Sequence, residues 1–177
     1  MNESIVLGGG CFWCLEAVYR RVTGVTHVTN GYAGGTKDNP SYWDLHTPTN
    51  DHAEVVKVDY DSTVISLDTV LSIFWALHNP TTPNQQGADV GAAYRSLILY
   101  SSDKQKCTAE KSRDTVGQPI WNKPIVTEIK QLETFWPAEE DQQDWFNKHP
   151  EQAYCQIVIN PKLVKLKKKF SHLLKDI

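Results

Sequence analysis

The sequence predicts an α+β fold: a two-layer sandwich on a ferredoxin-like, split β-α-β core, with additional C-terminal helices. Three observations predict it. Short apolar runs, several rich in β-branched residues, alternate with segments whose apolar residues recur at helical spacing. The order of these segments over the first hundred residues is β-α-β-β-α-β, which places helices on one side of an antiparallel sheet. The chain has 177 residues, enough for one core that buries roughly 70% of the unfolded surface, and 18 aromatics to fill it.

The elements follow in order. Residues 4–7 read as a short buried strand closed by Gly8-Gly9-Gly10. Leu15, Val18, Tyr19 and Val22 fall at i, i+3, i+4 and i+7 on one helix face, and Gly24 ends that helix. Residues 25–33 form a strand closed by Gly34-Gly35. Residues 36–52 are polar and long for a connection, which marks a candidate functional loop. Residues 53–60 are a strand, and Leu67, Val70, Leu71 and Phe74 return to helical spacing. A second long loop covers residues 78–93, and residues 94–100 give the fourth strand. Beyond the core, a helix over 103–116, a strand over 125–132 and a short helix over 139–147 are expected. Leu163, Leu166, Phe170 and Leu173 draw an apolar stripe on a last helix that carries six lysines and one aspartate. A docked helix with a solvated lysine face explains that stretch more simply than an anionic partner does. A single domain over residues 1–177 is expected, with 155–177 as its C-terminal segment.

Composition narrows the function class. With 18 Lys+Arg against 21 Asp+Glu, the net charge is −3, which gives no basic character for nucleic acid. The N-terminus lacks a basic leader, and no apolar stretch reaches membrane-spanning length, so a cytoplasmic monomer is expected. Four cysteines are far too few for a disulfide scaffold. In a reducing compartment they are candidates for chemistry instead.

The sharpest motif is Gly8-Gly9-Gly10-Cys11-Phe12-Trp13-Cys14-Leu15-Glu16. Cys11 stands where a strand ends and a helix begins. Free N–H groups and the helix dipole there are expected to lower a thiol pKa. The glycines keep bulk away from the sulfur, as a nucleophile requires. Other readings stay open. A phosphate cradle lacks the Lys-Ser/Thr of a P-loop. A zinc site lacks a second ligand pair, so no metal is expected. A dithiol redox pair of Cys11 and Cys14 fits the spacing. In the third strand, Glu54 shares a face with Val56 and Val58. A carboxyl there either reaches solvent at the strand end or is kept protonated by burial, as a proton donor would be.

Gly10-Cys11-Phe12-Trp13 followed by Glu16 resembles the signature of the peptide methionine sulfoxide reductase A family. Asn30-Gly31-Tyr32-Ala33-Gly34-Gly35, Pro40-Ser41-Tyr42, His52-Ala53-Glu54-Val55-Val56, Gln86-Gly87-Ala88-Asp89-Val90-Gly91 and Tyr94-Arg95-Ser96 match in register. The resemblance covers roughly residues 4 to 155. It implies that Cys11 attacks the sulfur of methionine S-sulfoxide, free or in oxidised proteins, and becomes a sulfenic acid. It implies that Glu54 hydrogen-bonds the sulfoxide oxygen, flanked by Tyr42 and Tyr94, with Asp89 orienting nearby groups. Phe12 and Trp13 would wall the methyl group. A resolving thiol would then form a disulfide that thioredoxin, or dithiothreitol in vitro, reduces without any bound cofactor.

Cys155 follows Asn147-Lys148-His149-Pro150 and Tyr154, which resembles the family's recycling segment, and a mobile arm is expected there. Cys14 is one helical turn from Cys11 and competes for the resolving role, directly or as a relay. It stands where the family often has glycine. Gln142 replaces a frequent histidine, and the lysine helix replaces a glycine-rich tail. Cys107, mid-helix, is expected to be a bystander.

Overall fold

A computed structural model describes residues 1–176 of the chain. The core elements are β1 (Asn2–Gly8), α1 (Phe12–Tyr19), β2 (Val25–Ala33), β3 (Ala53–Asp61), α2 (Leu67–Leu77), a small hairpin of β4 (Gln85–Gln86) and β5 (Asp89–Val90), and β6 (Leu97–Tyr100). The strands β6-β1-β3-β2 lie side by side and every neighbouring pair is antiparallel. Strands β1 and β2, joined through α1, are thus separated by β3, and β3 and β6, joined through α2, are separated by β1. That is the split β-α-β arrangement expected from the segment order.

Strand alternation divides the side chains between two faces. Ile5, Leu7, Val56 and Val58 meet Leu15, Val18 and Tyr19 of α1 and Leu71 and Phe74 of α2 in the main core. Val6, Val55 and Leu99 point the other way and are covered by Leu132 and Phe135. Helix α2 starts on Ser66, whose hydroxyl accepts from the Thr69 N–H at 3.2 Å.

The C-terminal third departs from the expected elements. Helix α3 (Asp103–Ser112) runs into a π-helical turn at Arg113–Gly117 and the single turn α4 (Gln118–Ile120). The strand expected over 125–132 is only β7 (Glu128–Gln131), and it pairs parallel to β6. Strand β8 (Trp136–Pro137) extends the opposite edge beside β2. The helix expected over 139–147 is broken. A 3₁₀ turn at Glu140–Gln142 precedes α5 (Trp145–Lys148), and Asp144 between them is left-handed, with φ 55°. The buried Glu16 carboxyl accepts the Asp144 and Trp145 N–H groups at 2.7 and 3.3 Å, so it caps α5 from α1 where a continuous helix would consume those donors.

The fourth strand starts at Leu97 rather than 94, because Ala92–Tyr94 form a 3₁₀ turn. Helix α1 ends at Tyr19, five residues before Gly24, which does take the positive φ expected of a stop glycine. A π-helical turn at Cys155–Ile159 leads into α6 (Asn160–Phe170). Leu166 is fully buried, Leu163, Phe170 and Leu173 pack partly, and Lys167, Lys168 and Lys169 face solvent. Ile177 lies outside the described residues. None of the helices among the described residues is long and apolar enough to cross a membrane.

Candidate active site

The site forms where the C-terminal end of β1 delivers the chain to α1. Gly10 turns it with φ +93°, and a Cβ there would meet Gln86 side-chain carbons at 2.6 and 2.8 Å, so only glycine fits. Gln86 is itself fixed: its amide bonds both backbone groups of Asn79 at 2.9 Å. Cys11 then stands at the N-cap of α1, with extended backbone and no side-chain capping bond of its own.

Glu54 supplies that cap. Its Oε1 accepts the Phe12 N–H, the first free donor of the helix, at 3.1 Å. Glu54 is 1% exposed, so the strand-end alternative is excluded. Burial lifts its carboxyl from 4.5 to about 8, against the opposing pull of the Phe12 N–H, with the Asp89 charge adding to the rise. The acid is therefore neutral at neutral pH. With Oε1 accepting from backbone, Oε2 is the oxygen that carries the proton.

The thiol expectation is corrected in sign. Cys11 is 8% exposed, and burial pushes its thiol well above its ordinary value. The neighbouring Cys14 thiol, and Glu54 once it ionises, push in the same direction, and the Trp13 N–H only partly opposes them. The helix terminus is present, but desolvation outweighs it. Cys14 moves the other way, down to about 7, because the neighbouring Cys11 thiol, the field of Lys162 and the Tyr154 hydroxyl together outweigh its burial.

The structure brings the remaining candidates to the same place. Burial raises Tyr42 to about 12 and raises Tyr94 further, and Glu54, Cys11 and Asp89 add to the rise when ionised. Both stay protonated and able to donate. The Tyr42 loop is fastened by Glu139, which accepts the Tyr42 N–H at 3.1 Å and the Tyr32 hydroxyl at 2.8 Å. His52, buried, takes the Gly35 N–H on Nδ1 and bonds the Lys37 carbonyl through Nε2, closing the base of that loop. Asp89 sits on β5 and accepts the Tyr154 hydroxyl at 2.9 Å.

Phe12 is fully enclosed, 5.8 Å from the Tyr32 ring, whereas Trp13 keeps solvent-exposed surface. The Trp13 ring stacks on Trp145 at 4.1 Å, meets Tyr154 edge-on, and donates through its indole N–H to Gln142 at 3.2 Å.

Cys155 is buried in one apolar cluster with Cys11, Cys14, Ala17 and Ile159. The π-helical turn packs this thiol against α1, where it lies in the field of Cys14. Cys107 is exposed on α3, remote from this cluster. Sequence reasoning missed Glu139 and Lys162 and used Tyr154 only as a marker. Their partners lie 65 to 148 positions away in the chain, so local spacing carries no trace of them. Among the described residues, no group of three or more His, Cys, Asp and Glu is placed to hold a metal ion.

Comparison with known proteins points to one family. The family profile "Peptide methionine sulfoxide reductase" matches residues 3–174. A peptide methionine sulfoxide reductase MsrA of Pseudarthrobacter chlorophenolicus is 49% identical over 169 residues, covering 96% of this chain and 97% of that relative. Among solved structures, Mxr1 from Saccharomyces cerevisiae in reduced form superposes with a TM-score of 0.82 at 35% identity, over 87% of this chain and 89% of that one. Mxr1 in complex with Trx2 superposes with a TM-score of 0.59 at 27% identity, over 81% and 84% of the two chains. Matched over nearly its whole length, with the cysteine, the buried acid and the paired tyrosines gathered at one helix terminus, the chain belongs to the peptide methionine sulfoxide reductase family.

Proposed function

We propose that the protein is a thioredoxin-dependent reductase of methionine S-sulfoxide, free and in oxidised proteins, acting in the cytoplasm as a repair enzyme. The observation that carries the reading is a neutral carboxylic acid, Glu54, buried beside a nucleophile, Cys11, at the start of α1. A sulfoxide is a weak electrophile until its oxygen is protonated or strongly hydrogen-bonded. Glu54 supplies that proton, and the Tyr42 and Tyr94 hydroxyls hold the oxygen. As Cys11 attacks, its own proton passes to the vacated Glu54 carboxylate. The oxygen moves from substrate sulfur to the Cys11 sulfur, methionine leaves, and Cys11 is a sulfenic acid. Trp13 offers the exposed apolar surface for the methyl group, and the enclosed Phe12 backs it.

Cys155 is the resolving cysteine in this reading, reached through Cys14. Cys14 condenses with the sulfenic acid and releases water, and Cys155 then exchanges onto Cys14. The placement of Cys14 against both other thiols supports this order. Thioredoxin reduces the final disulfide; the Mxr1 complex with Trx2 supports a thioredoxin partner. Turnover of a methionine sulfoxide substrate with dithiothreitol tests the reading. Wild type should release methionine and Cys11→Ser should not. An inactive wild type or a fully active Cys11→Ser contradicts it.

A further inference from the structure

The least explained polar chain in the molecule runs outward from Cys14. Cys14 Sγ lies 3.8 Å from the Tyr154 hydroxyl, which donates to Asp89 Oδ2 at 2.9 Å. A phenol has one proton, and Tyr154 spends it on Asp89, so its oxygen is left to accept from the Cys14 thiol. The same cavity, about 340 Å³ in volume, is lined by Cys11, Cys14, Asp89, Tyr154 and, from the first turn of α6, Lys162. It is mainly apolar, so a charge there is weakly screened.

We propose that Tyr154, Asp89 and Lys162 activate Cys14 as the relay nucleophile that forms the first disulfide: the Cys14 proton passes through the Tyr154 hydroxyl to Asp89, and the Lys162 ammonium holds the thiolate that remains. The proposal rests on the Cys14 relay described above. The balance closes without an added oxidant or reductant. Cys14 thiolate attacks the sulfur of the Cys11 sulfenic acid, the S–S bond forms, and the S–O bond breaks. The departing hydroxide takes the proton from Asp89 and leaves as water. Tyr154 touches a reacting sulfur. Asp89 and Lys162 act on that sulfur through the phenol and through the field.

The groups that face Cys14 are Cys11 from its own helix, Glu54 from β3, Asp89 from β5, Tyr154 and Cys155 from the C-terminal segment, and Lys162 from α6. Lys162 and the Tyr154 hydroxyl favour the thiolate and the Asp89 charge opposes it. Burial, together with Cys11 and Cys14, holds the Tyr154 phenol far above its ordinary range, so it passes a proton rather than keeping its own off. Asp89 thus has a second task beside the one its place near Glu54 suggests.

The test is a single turnover in the Cys155→Ser chain, which stops the relay at its first disulfide. Reduced enzyme is mixed with one equivalent of methionine sulfoxide and quenched with an alkylating agent. Released methionine and the Cys11–Cys14 disulfide are then followed separately across pH 5.5 to 9. Adding Tyr154→Phe should raise the pH midpoint of disulfide formation by about one unit, a fall of about fivefold in rate at pH 7 and about tenfold well below it, with a smaller effect on methionine release. Lys162→Gln should move the midpoint the same way and carries the test should the phenylalanine variant not fold. Unchanged midpoints in both variants overturn the proposal. So does an equal slowing of methionine release and disulfide formation, which would make Tyr154 a packing residue. A parent chain that forms no Cys11–Cys14 disulfide overturns the relay itself, an outcome seen before either variant is made.

Discussion

Replacing Glu54 by glutamine should make the folded protein more stable, increasingly so as pH rises. Glu54 is buried beneath the start of α1, and its carboxyl is raised from 4.5 to about 8. Between those values the native state holds a proton that the unfolded state has released. Native stability from this group is therefore complete below pH 4.5 and is lost as pH rises toward 8. The slope is about 1.4 kcal/mol per pH unit, so the wild type loses about 3 kcal/mol between pH 5 and pH 7 through this one side chain. In the Glu54→Gln variant the amide oxygen can still accept the Phe12 N–H, and glutamine needs no proton. Other groups titrate alike in both chains and cancel in the difference. Urea unfolding of both proteins under reducing conditions at pH 5, 6, 7 and 8 measures it. The stability gap should widen with each step up to pH 7 and level off above about pH 8. A gap that stays constant from pH 5 to 8 refutes the claim that burial keeps this carboxyl neutral.

The same protonation states predict that single-turnover methionine release falls above about pH 8, as Glu54 loses the proton it must give. A rate that climbs through pH 9 would show instead that a preformed Cys11 thiolate limits the reaction. In the thioredoxin-coupled assay, Cys14→Ser and Cys155→Ser should both lose most turnover while keeping one methionine released per chain. A Cys155→Ser variant with full thioredoxin-coupled turnover removes that cysteine from the pathway. Leu166→Ala should destabilise the protein by about 2–5 kcal/mol, since this side chain is fully buried beneath α6, and thermal unfolding reads the loss. A change under 1 kcal/mol would mean that α6 is not docked in solution.

The core was legible because its signals are local. The β-branched run of β2 matches its strand end to end, since the Gly34-Gly35 pair that closes it marks the boundary in the sequence itself. The site was legible through its motifs, which put Cys11, Glu54, Tyr42, Tyr94 and Asp89 within one another's fields. Two kinds of information were not local. Strand β8 has two residues, too few for any period, and it exists because β2, far earlier in the chain, pairs with it. The break before α5 depends on Glu16, 128 residues earlier in the chain than Asp144, capping a helix it does not belong to. The sign of the Cys11 shift was not legible for a related reason. A helix terminus is visible in sequence, whereas the burial that outweighs it comes from Cys155, Ile159 and Tyr154 folding back over the site.

The central step is the movement of oxygen from substrate sulfur to the Cys11 sulfur. The most direct measurement is a single turnover of the Cys14→Ser, Cys155→Ser chain, with the products weighed by mass spectrometry after trapping with a sulfenic-acid-specific dione. One methionine should appear per chain, with one trapped adduct, and that adduct should sit on Cys11. Methionine released with no adduct on Cys11, or an adduct on Cys107 instead, would contradict it.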